Sequence, residues 1–123
     1  MPSREPTLEG QLLRRAIKGA FSPDPWRCEV NLDTIEAVAL LVEGMAEVSR
    51  KRRESLADDP WLNKPPERHL DHAVVHIDTA FHAVVEGDAM IGLDRETGLP
   101  HLLHCALRCA FAYARQNGIG GPP

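Results

Sequence analysis

The sequence predicts an all-α fold of about four helices, in which a long second helix packs on a hairpin of two histidine-bearing helices. Only 5% of the 123 residues are aromatic, and the alternation of apolar and polar residues that is typical of strands is nearly absent. Ala, Leu, Val, Glu and Arg dominate the longer segments, and most of these residues are good helix formers. Prolines and glycines separate the segments, so each helix has a predictable start and end.

The first helix is predicted over residues 8 to about 20. Thr7 precedes it, and a threonine hydroxyl in that position can accept a hydrogen bond from a free backbone N–H of the first turn. Pro23 and Pro25 follow, and the helix cannot continue through them because each proline removes a backbone donor.

The second helix is predicted from about Thr34 to about Leu56 and is the longest element. Asp33 and Glu36 have the spacing of a capping box, which would fix the start of this helix. Gly44 interrupts the helix-forming segment at a cost of about 1 kcal/mol relative to alanine. Such a glycine indicates a close approach by another helix or by a ligand.

Two further helices are predicted over residues 67–86 and 101–116. Prolines at 65 and 66 suit the start of the third helix, because a proline in the first turn loses no helical hydrogen bond. The segment 87–100 contains three glycines and is expected to form a loop. A connection of this kind would make the two helices an antiparallel hairpin.

The chain is expected to have three parts: an N-terminal helix with a proline-rich loop (1–32), a helical core domain (33–117) and a flexible tail (118–123). The formal net charge of −4 at pH 7 argues against a broad basic face for duplex nucleic acid. No apolar run reaches the roughly 20 residues that span a bilayer, and no signal peptide is visible. We therefore expect a cytoplasmic protein that neither enters a membrane nor binds duplex nucleic acid.

The cysteines do not suggest a disulfide framework, because their number is odd and two of them are only four residues apart. They are Cys28, Cys105 and Cys109. The close pair could contribute to a Cys/His zinc site, but the chain has no C-x-x-C motif, so a buried and reduced pair is favoured.

All six histidines fall between positions 69 and 104. His69, His72 and His76 are three and four residues apart, which puts them on one face of the third helix. His101 and His104 repeat this spacing on the fourth helix. The two histidine faces are therefore expected to meet within the hairpin.

Facing histidines suit a divalent metal ion, because imidazole is both a strong metal ligand and a general base near neutral pH. Carboxylates such as Asp78, Asp94 or Glu43 could complete the site, and the ion could be Mg, Mn or another transition metal. An ion held in this way could polarise a phosphoryl oxygen or activate a water molecule. The histidines that carry most of this expectation are His76, His101 and His104.

A structural role is the alternative for each of these histidines, since a single helical histidine is more often a surface residue or a hydrogen-bonded core group than a ligand. That alternative is favoured for His82, which leaves the common face. Two histidine faces on adjacent helices are harder to explain by packing alone, because buried imidazoles need hydrogen-bond partners.

Further candidates lie on the second and fourth helices. Arg50 and Lys51 open a run of four basic residues, which is either a solvated helix end or a grip for the phosphates of a nucleotide. Arg108 is another candidate for neutralising phosphate. Glu43 could point inward as a metal ligand or as a catalytic base, or it could lie at the margin of the core.

An ordered set of motifs resembles a known family. The set comprises Glu43-Gly44-Met45-Ala46-Glu47, a loop tryptophan at 61, the segment His72-Ala73-Val74-Val75-His76-Ile77, and a closing stretch from Asp94 to His104. Over about residues 33 to 115 the chain resembles the phage-associated N-terminal domain of dATP/dGTP diphosphohydrolases. The closing motif, D-x-E-[ST]-G-L-x-H-L-x-H, is its most specific part.

The resemblance implies hydrolysis of a purine deoxynucleoside triphosphate to a monophosphate and pyrophosphate. It also invites comparison with the MazG-like all-α pyrophosphohydrolases, whose paired carboxylate motifs are missing here. Carried over residue by residue, it implies functional positions at His76, Asp94, His101 and His104, with Glu96 as a weaker candidate. Histidines in place of carboxylates would favour a transition metal over magnesium alone.

Two functions remain open at this point, beside a purely structural helical protein with histidine-mediated contacts. The first is a metal-dependent phosphohydrolase of nucleoside triphosphates. The second is a non-catalytic helical module of phage origin that binds a nucleotide or a protein, which departures from the family pattern at Val75 and Arg108 favour. A homodimer is expected in both cases. The first function assigns His76, Asp94, His101 and His104 as metal ligands, Glu43 and His76 as catalytic residues, and Arg50, Lys51 and Arg108 as phosphate-binding residues.

Overall fold

The computed structural model of the chain describes residues 7–22, 31–55 and 61–121. These residues form four α-helices and one turn of 3-10 helix at Trp61–Asn63. The helices are α1 (Leu8–Phe21), α2 (Leu32–Ser55), α3 (Pro66–Glu86) and α4 (His101–Gln116). Within the described ranges there is no β-strand, only an isolated bridge between Leu93 and Pro100. The all-α prediction is confirmed, including the long second helix.

The chain divides into two compact units, Met1–Glu43 and Gly44–Pro123. In the first unit, Ile17 of α1 packs with Ile35 and Ala39 of α2 in a small buried core. Thr7 caps α1 as predicted, because its Oγ1 accepts a hydrogen bond of 2.9 Å from the backbone N–H of Gly10.

The capping box predicted at Asp33 and Glu36 is wrong. The second helix begins at Leu32, and the side-chain Oδ1 of Asn31 accepts a hydrogen bond of 2.7 Å from the backbone N–H of Asp33. Asparagine and aspartate are comparable N-caps, so the sequence alone does not decide between Asn31 and Asp33. Glu36 is engaged elsewhere, because its carboxylate lies 2.7 Å from Arg14 Nε.

The second unit is organised around α3 and α4, which pack against each other along their lengths. His69 of α3 contacts Arg108 of α4, whereas His76 contacts His101. Residue numbers thus rise along one helix as they fall along the other, so the helices are antiparallel. The buried side chains along this interface are mostly small or unbranched at Cβ, and they include Ala73, Ala83, Leu107 and Ala112.

The connection between α3 and α4 is a sequence of tight turns. The third helix ends at Gly87, whose φ of 66° is in the left-handed region that glycine tolerates best. The backbone N–H of His101 donates a hydrogen bond of 2.7 Å to the carbonyl of Gly92, which ties the first residue of α4 to the middle of the loop. The start of α4 is therefore held directly against the loop that precedes it.

The close approach predicted at Gly44 is confirmed. A Cβ atom at this position would lie 2.5 Å from Cδ2 of Leu103, so an alanine would collide with that side chain. Gly44 therefore leaves room for the Leu103 side chain of α4, which would have to shift if any other residue stood at position 44.

Several sequence predictions fall on residues 1–6, 23–30, 56–60 and 122–123, which lie outside the described ranges. They concern Cys28, the proline-rich loop and the end of the tail. Cys105 and Cys109 are free thiols. None of the helices in the described ranges is long and apolar enough to cross a bilayer.

Candidate metal centre

Three predicted metal ligands come together at the end of the α3/α4 hairpin. They are His76 on α3, Asp94 in the connecting loop and His101 at the first position of α4, and their ligand atoms all lie within 4.8 Å of one another. The Nδ1 atoms of His76 and His101 are 2.7 Å apart, and Nδ1 of His101 is 4.0 Å from Oδ1 of Asp94. This group could hold a metal ion.

Asp94 is fixed by the turn that it begins. Its Oδ2 accepts hydrogen bonds from the backbone N–H groups of Glu96 and Thr97, both 3.1 Å, and from the Thr97 hydroxyl at 3.3 Å. The backbone N–H of Gly98 donates to the Asp94 carbonyl at 2.8 Å, with a φ of 72° at the glycine. Because Oδ2 is occupied, Oδ1 is the oxygen available to a cation, and it makes no hydrogen bond with any described residue.

Thr97 belongs to the candidate site by its contacts, and sequence reasoning missed it. Its hydroxyl lies 2.7 Å from Nε2 of His104 and 3.3 Å from Oδ2 of Asp94, so it connects the two side chains. The same oxygen accepts from the backbone N–H of Leu99 at 3.2 Å. The available signal was the Asp-x-x-Thr spacing, which is typical of a side-chain-capped turn.

His104, the fourth predicted ligand, stands beside the three-residue cluster. Only 5% of the residue is exposed, and its Nε2 is 3.7 Å from Oδ2 of Asp94. Its ring stacks on that of His76, with the centroids 4.8 Å apart and an interplanar angle of 20°. Since Thr97 occupies Nε2, His104 supports the positions of both Asp94 and His76.

The local environment favours the protonation states that metal binding requires. Burial lowers the pKa of His76 to about 4, and the neighbouring His104 and His101 act in the same direction, while Asp94 opposes them. Burial also lowers the pKa of His104, against the opposing effect of Asp94. Burial raises the pKa of Asp94, but the backbone N–H of Thr97 and the two adjacent histidines lower it and prevail. At neutral pH, His76 and His104 are therefore neutral and Asp94 is charged.

His69 forms a separate, structural cluster on the same hairpin. The residue is fully buried, and its Nε2 donates to the carbonyl of Trp61 at 3.0 Å while its Nδ1 accepts from Nη1 of Arg108 at 3.1 Å. Trp61 stacks on Phe111 of α4, with the ring centroids 4.3 Å apart. This group holds the 3-10 turn against the hairpin. Arg108 is 5% exposed, so its guanidinium packs in the interior.

The remaining predicted site residues have other surroundings. The carboxylate of Glu43, in the first unit, lies 2.9 Å from Nη2 of Arg14. Arg50 forms an ion pair with Glu47 one turn earlier on α2, and Lys51 is exposed. The predicted catalytic and phosphate-binding roles of Glu43, Arg50, Lys51 and Arg108 stay predictions.

Two further histidines of α3 lie outside the three-residue cluster. His72 is exposed. His82 is exposed as well, with its Nε2 3.7 Å from a carboxylate oxygen of Asp78. The expectation that His82 is not part of the site stays a prediction.

A cleft of about 730 Å³ adjoins the cluster. Asp94 and His101 contribute to its wall, so a molecule in the cleft would reach two of the three candidate ligands. The other lining residues are Thr79, Met90, Ile91, Leu93, Arg95 and Gly98. The cleft thus combines metal-binding groups, one guanidinium and an apolar surface.

Comparison of the chain with protein-family models, with curated proteins and with solved structures finds no match.

Proposed function

We propose that this chain is a metal-dependent phosphohydrolase, with nucleoside triphosphates as its substrates. The observation that carries the proposal is the convergence of His76, Asp94 and His101 beside a cleft large enough for a small organic molecule. The sequence resemblance described above supplies the nucleotide as the first substrate to test.

The donor set fits a divalent transition metal. Tetrahedral zinc with bonds of roughly 2.0–2.1 Å separates its ligand atoms by about 3.3 Å. The two separations at His101 Nδ1, 2.7 Å to His76 and 4.0 Å to Asp94, bracket that value, so small side-chain rotations would suffice. Two imidazoles and one carboxylate favour zinc, iron or manganese over magnesium, which prefers oxygen ligands.

Each residue has a distinct task in this proposal. His76 and His101 supply nitrogen ligands, and Asp94 supplies a negative charge that offsets part of the positive charge of the metal ion. Thr97 and His104 hold Asp94 in place through the bonds on its Oδ2 and on the threonine hydroxyl. The metal would polarise a phosphoryl oxygen and lower the pKa of bound water, which is the usual contribution of such ions to phosphate-ester hydrolysis.

The test is product release from purified nucleotides. The metal-free protein is incubated with dATP or dGTP and with Zn²⁺, Mn²⁺ or Mg²⁺, and pyrophosphate and monophosphate are quantified. We expect turnover with a transition metal, its loss in His101→Ala, and its retention in His82→Ala, the matched control outside the cluster. Nucleotide binding without any product in the wild type would reject hydrolysis and favour the non-catalytic binding module.

We also propose that two copies pair through α3. Five apolar side chains on this helix are 42–81% exposed and follow one another at spacings of four and three residues, which is the pattern of a helix-pairing seam. They are Leu70, Val74, Ile77, Phe81 and Val84. Two such stripes would bury on the order of 1,000 Å² in total, the size of a small specific interface. A two-fold axis can place the same stripe on both sides of that interface.

A further inference from the structure

The cleft beside the metal-binding cluster contains a second candidate recognition group, the side chain of Arg95. Arg95 is exposed and follows Asp94 directly in the chain. Within residues 7–22, 31–55 and 61–121, no group makes a hydrogen bond or ion pair with its guanidinium. A guanidinium without an internal partner, placed next to metal ligands, is available to a bound anion.

Hydrogen bonds fix the backbone of the turn that carries Arg95, whereas the Arg95 side chain is exposed. The turn is closed by hydrogen bonds from Asp94 N–H to the Leu99 carbonyl at 2.9 Å and from Gly98 N–H to the Asp94 carbonyl at 2.8 Å. The Asp94 carboxylate also accepts hydrogen bonds from the backbone N–H groups of Glu96 and Thr97. Arg95 therefore projects from a fixed base next to a candidate metal ligand.

The rest of the cleft is apolar. Met90 and Ile91 are 74% and 37% exposed, and Leu93 continues the same surface. An inorganic anion alone would leave these side chains in water. A ligand that has both an anionic group and a flat organic body would use the guanidinium and the apolar surface together.

We propose that Arg95 is the anion-binding residue of this cleft and that it takes the phosphate chain of an organic phosphate whose organic part lies on Met90 and Ile91. This inference rests on the proposed function for the role of the metal ion, and it extends that function by naming the phosphate-binding residue. Arginine suits the task because its planar fork can donate two parallel hydrogen bonds to one phosphate group.

Binding measurements test the proposal separately from turnover. Inorganic pyrophosphate and dATP are titrated by calorimetry into the full chain, both metal-free and loaded with Mn²⁺. For Arg95→Gln we expect binding of both ligands to weaken about tenfold or more, with Mn²⁺ affinity unchanged within about threefold. Arg68→Gln on α3 removes the same charge at an exposed position outside the cleft, and it should bind both ligands as the wild type does.

A second variant separates the two halves of the ligand. Met90→Ala should weaken dATP binding several-fold while leaving pyrophosphate binding unchanged, because pyrophosphate has no organic part. The proposal is overturned if Arg95→Gln binds pyrophosphate like the wild type, if Arg68→Gln loses binding equally, or if the wild type binds neither ligand. A wild type that binds both ligands but releases no product would reject the proposed hydrolysis and leave the role of Arg95 intact.

Discussion

The Nδ1 atoms of His76 and His101 lie 2.7 Å apart across the α3/α4 hairpin. Neutral imidazole has one N–H, so at this distance one ring donates a hydrogen bond and the other accepts it. A metal ion in the cluster would require a lone pair on both atoms. The hydrogen bond therefore marks the place where an ion would replace a proton, and metal uptake is expected to change the tautomer of one histidine.

The first prediction concerns metal affinity. His76→Ala or His101→Ala removes one of three candidate ligands, so we expect Co²⁺ and Zn²⁺ binding to weaken by at least tenfold relative to the wild type. The measurement is Co²⁺ absorption followed by competition with Zn²⁺. His82→Ala serves as the control because that histidine is exposed and lies outside the cluster. A His101→Ala protein that still bound one equivalent at wild-type affinity would contradict the ligand assignment.

The second prediction concerns Thr97, whose hydroxyl connects Asp94 to His104. Thr97→Val keeps the shape of the side chain but removes three hydrogen bonds. We expect metal affinity to fall about 10- to 100-fold, as for other residues that orient a ligand, and stability to fall by roughly 1–3 kcal/mol. Thr97→Ser retains the hydroxyl and should restore metal affinity. If the serine variant is as impaired as the valine variant, the retained hydroxyl is not sufficient for metal affinity, and the role assigned to it is contradicted.

The third prediction concerns the pH dependence of stability without metal. The pKa of His76 is about 4 in the folded chain and 6.5 in an unfolded one. Between these values the unfolded chain binds more protons, so stability from the neutral imidazole is complete above pH 6.5 and is lost as the pH falls toward 4. In EDTA, the Tm of the wild type should therefore decrease more than the Tm of His76→Gln when the pH is lowered from 7.5 to 4.5. Equal losses in the two proteins would show that His76 does not titrate as described.

The fourth prediction concerns the buried pair of His69 and Arg108. His69→Ala removes the acceptor of the Arg108 hydrogen bond in an interior site, and we expect a loss of about 2–4 kcal/mol in the free energy of unfolding by urea. His72→Ala, one turn away and exposed, should cost less than about 0.5 kcal/mol. Similar losses for both variants would argue against a structural role specific to His69.

The fifth prediction concerns self-association through α3. Val74→Glu places a charge in the middle of the apolar stripe, and sedimentation equilibrium should show a shift from dimer to monomer with α-helical content preserved. Gln116→Glu adds the same charge at an exposed position on α4 and should leave the dimer unchanged. The paired arrangement is ruled out if the wild type sediments as a monomer at all accessible concentrations.

Most of the fold could be predicted because it depends on local signals. Thr7 caps α1 and the glycine at 87 ends α3, and both follow from properties of the residues themselves. The start of α2 was harder, since Asn31 and Asp33 are both good caps, and the Glu36 of the expected capping box pairs with Arg14. That pairing joins residues 22 apart in the chain and has no signature in the sequence.

The candidate site could be predicted in part for the same reason. Helical spacing placed His76 and His101 on facing surfaces, and the structure brings them together. The role of Thr97 depends on how a loop folds back on its own carboxylate, which spacing alone does not specify. The interior position of Arg108 is equally non-local, because a charged residue is expected at the surface unless its partner is known.

The turn that carries Asp94 is closed by hydrogen bonds within the chain, and the hairpin on either side of it is packed through its own side chains. Small zinc domains whose folding depends on the ion unfold when it is chelated. In this chain the hydrogen bonds of the turn and the packing of the hairpin position the ligands, so removal of a bound ion should be reversible and leave the circular dichroism spectrum unchanged. The identity of the bound metal would then follow the supply in the surroundings, and one preparation could be reloaded with several metals in turn.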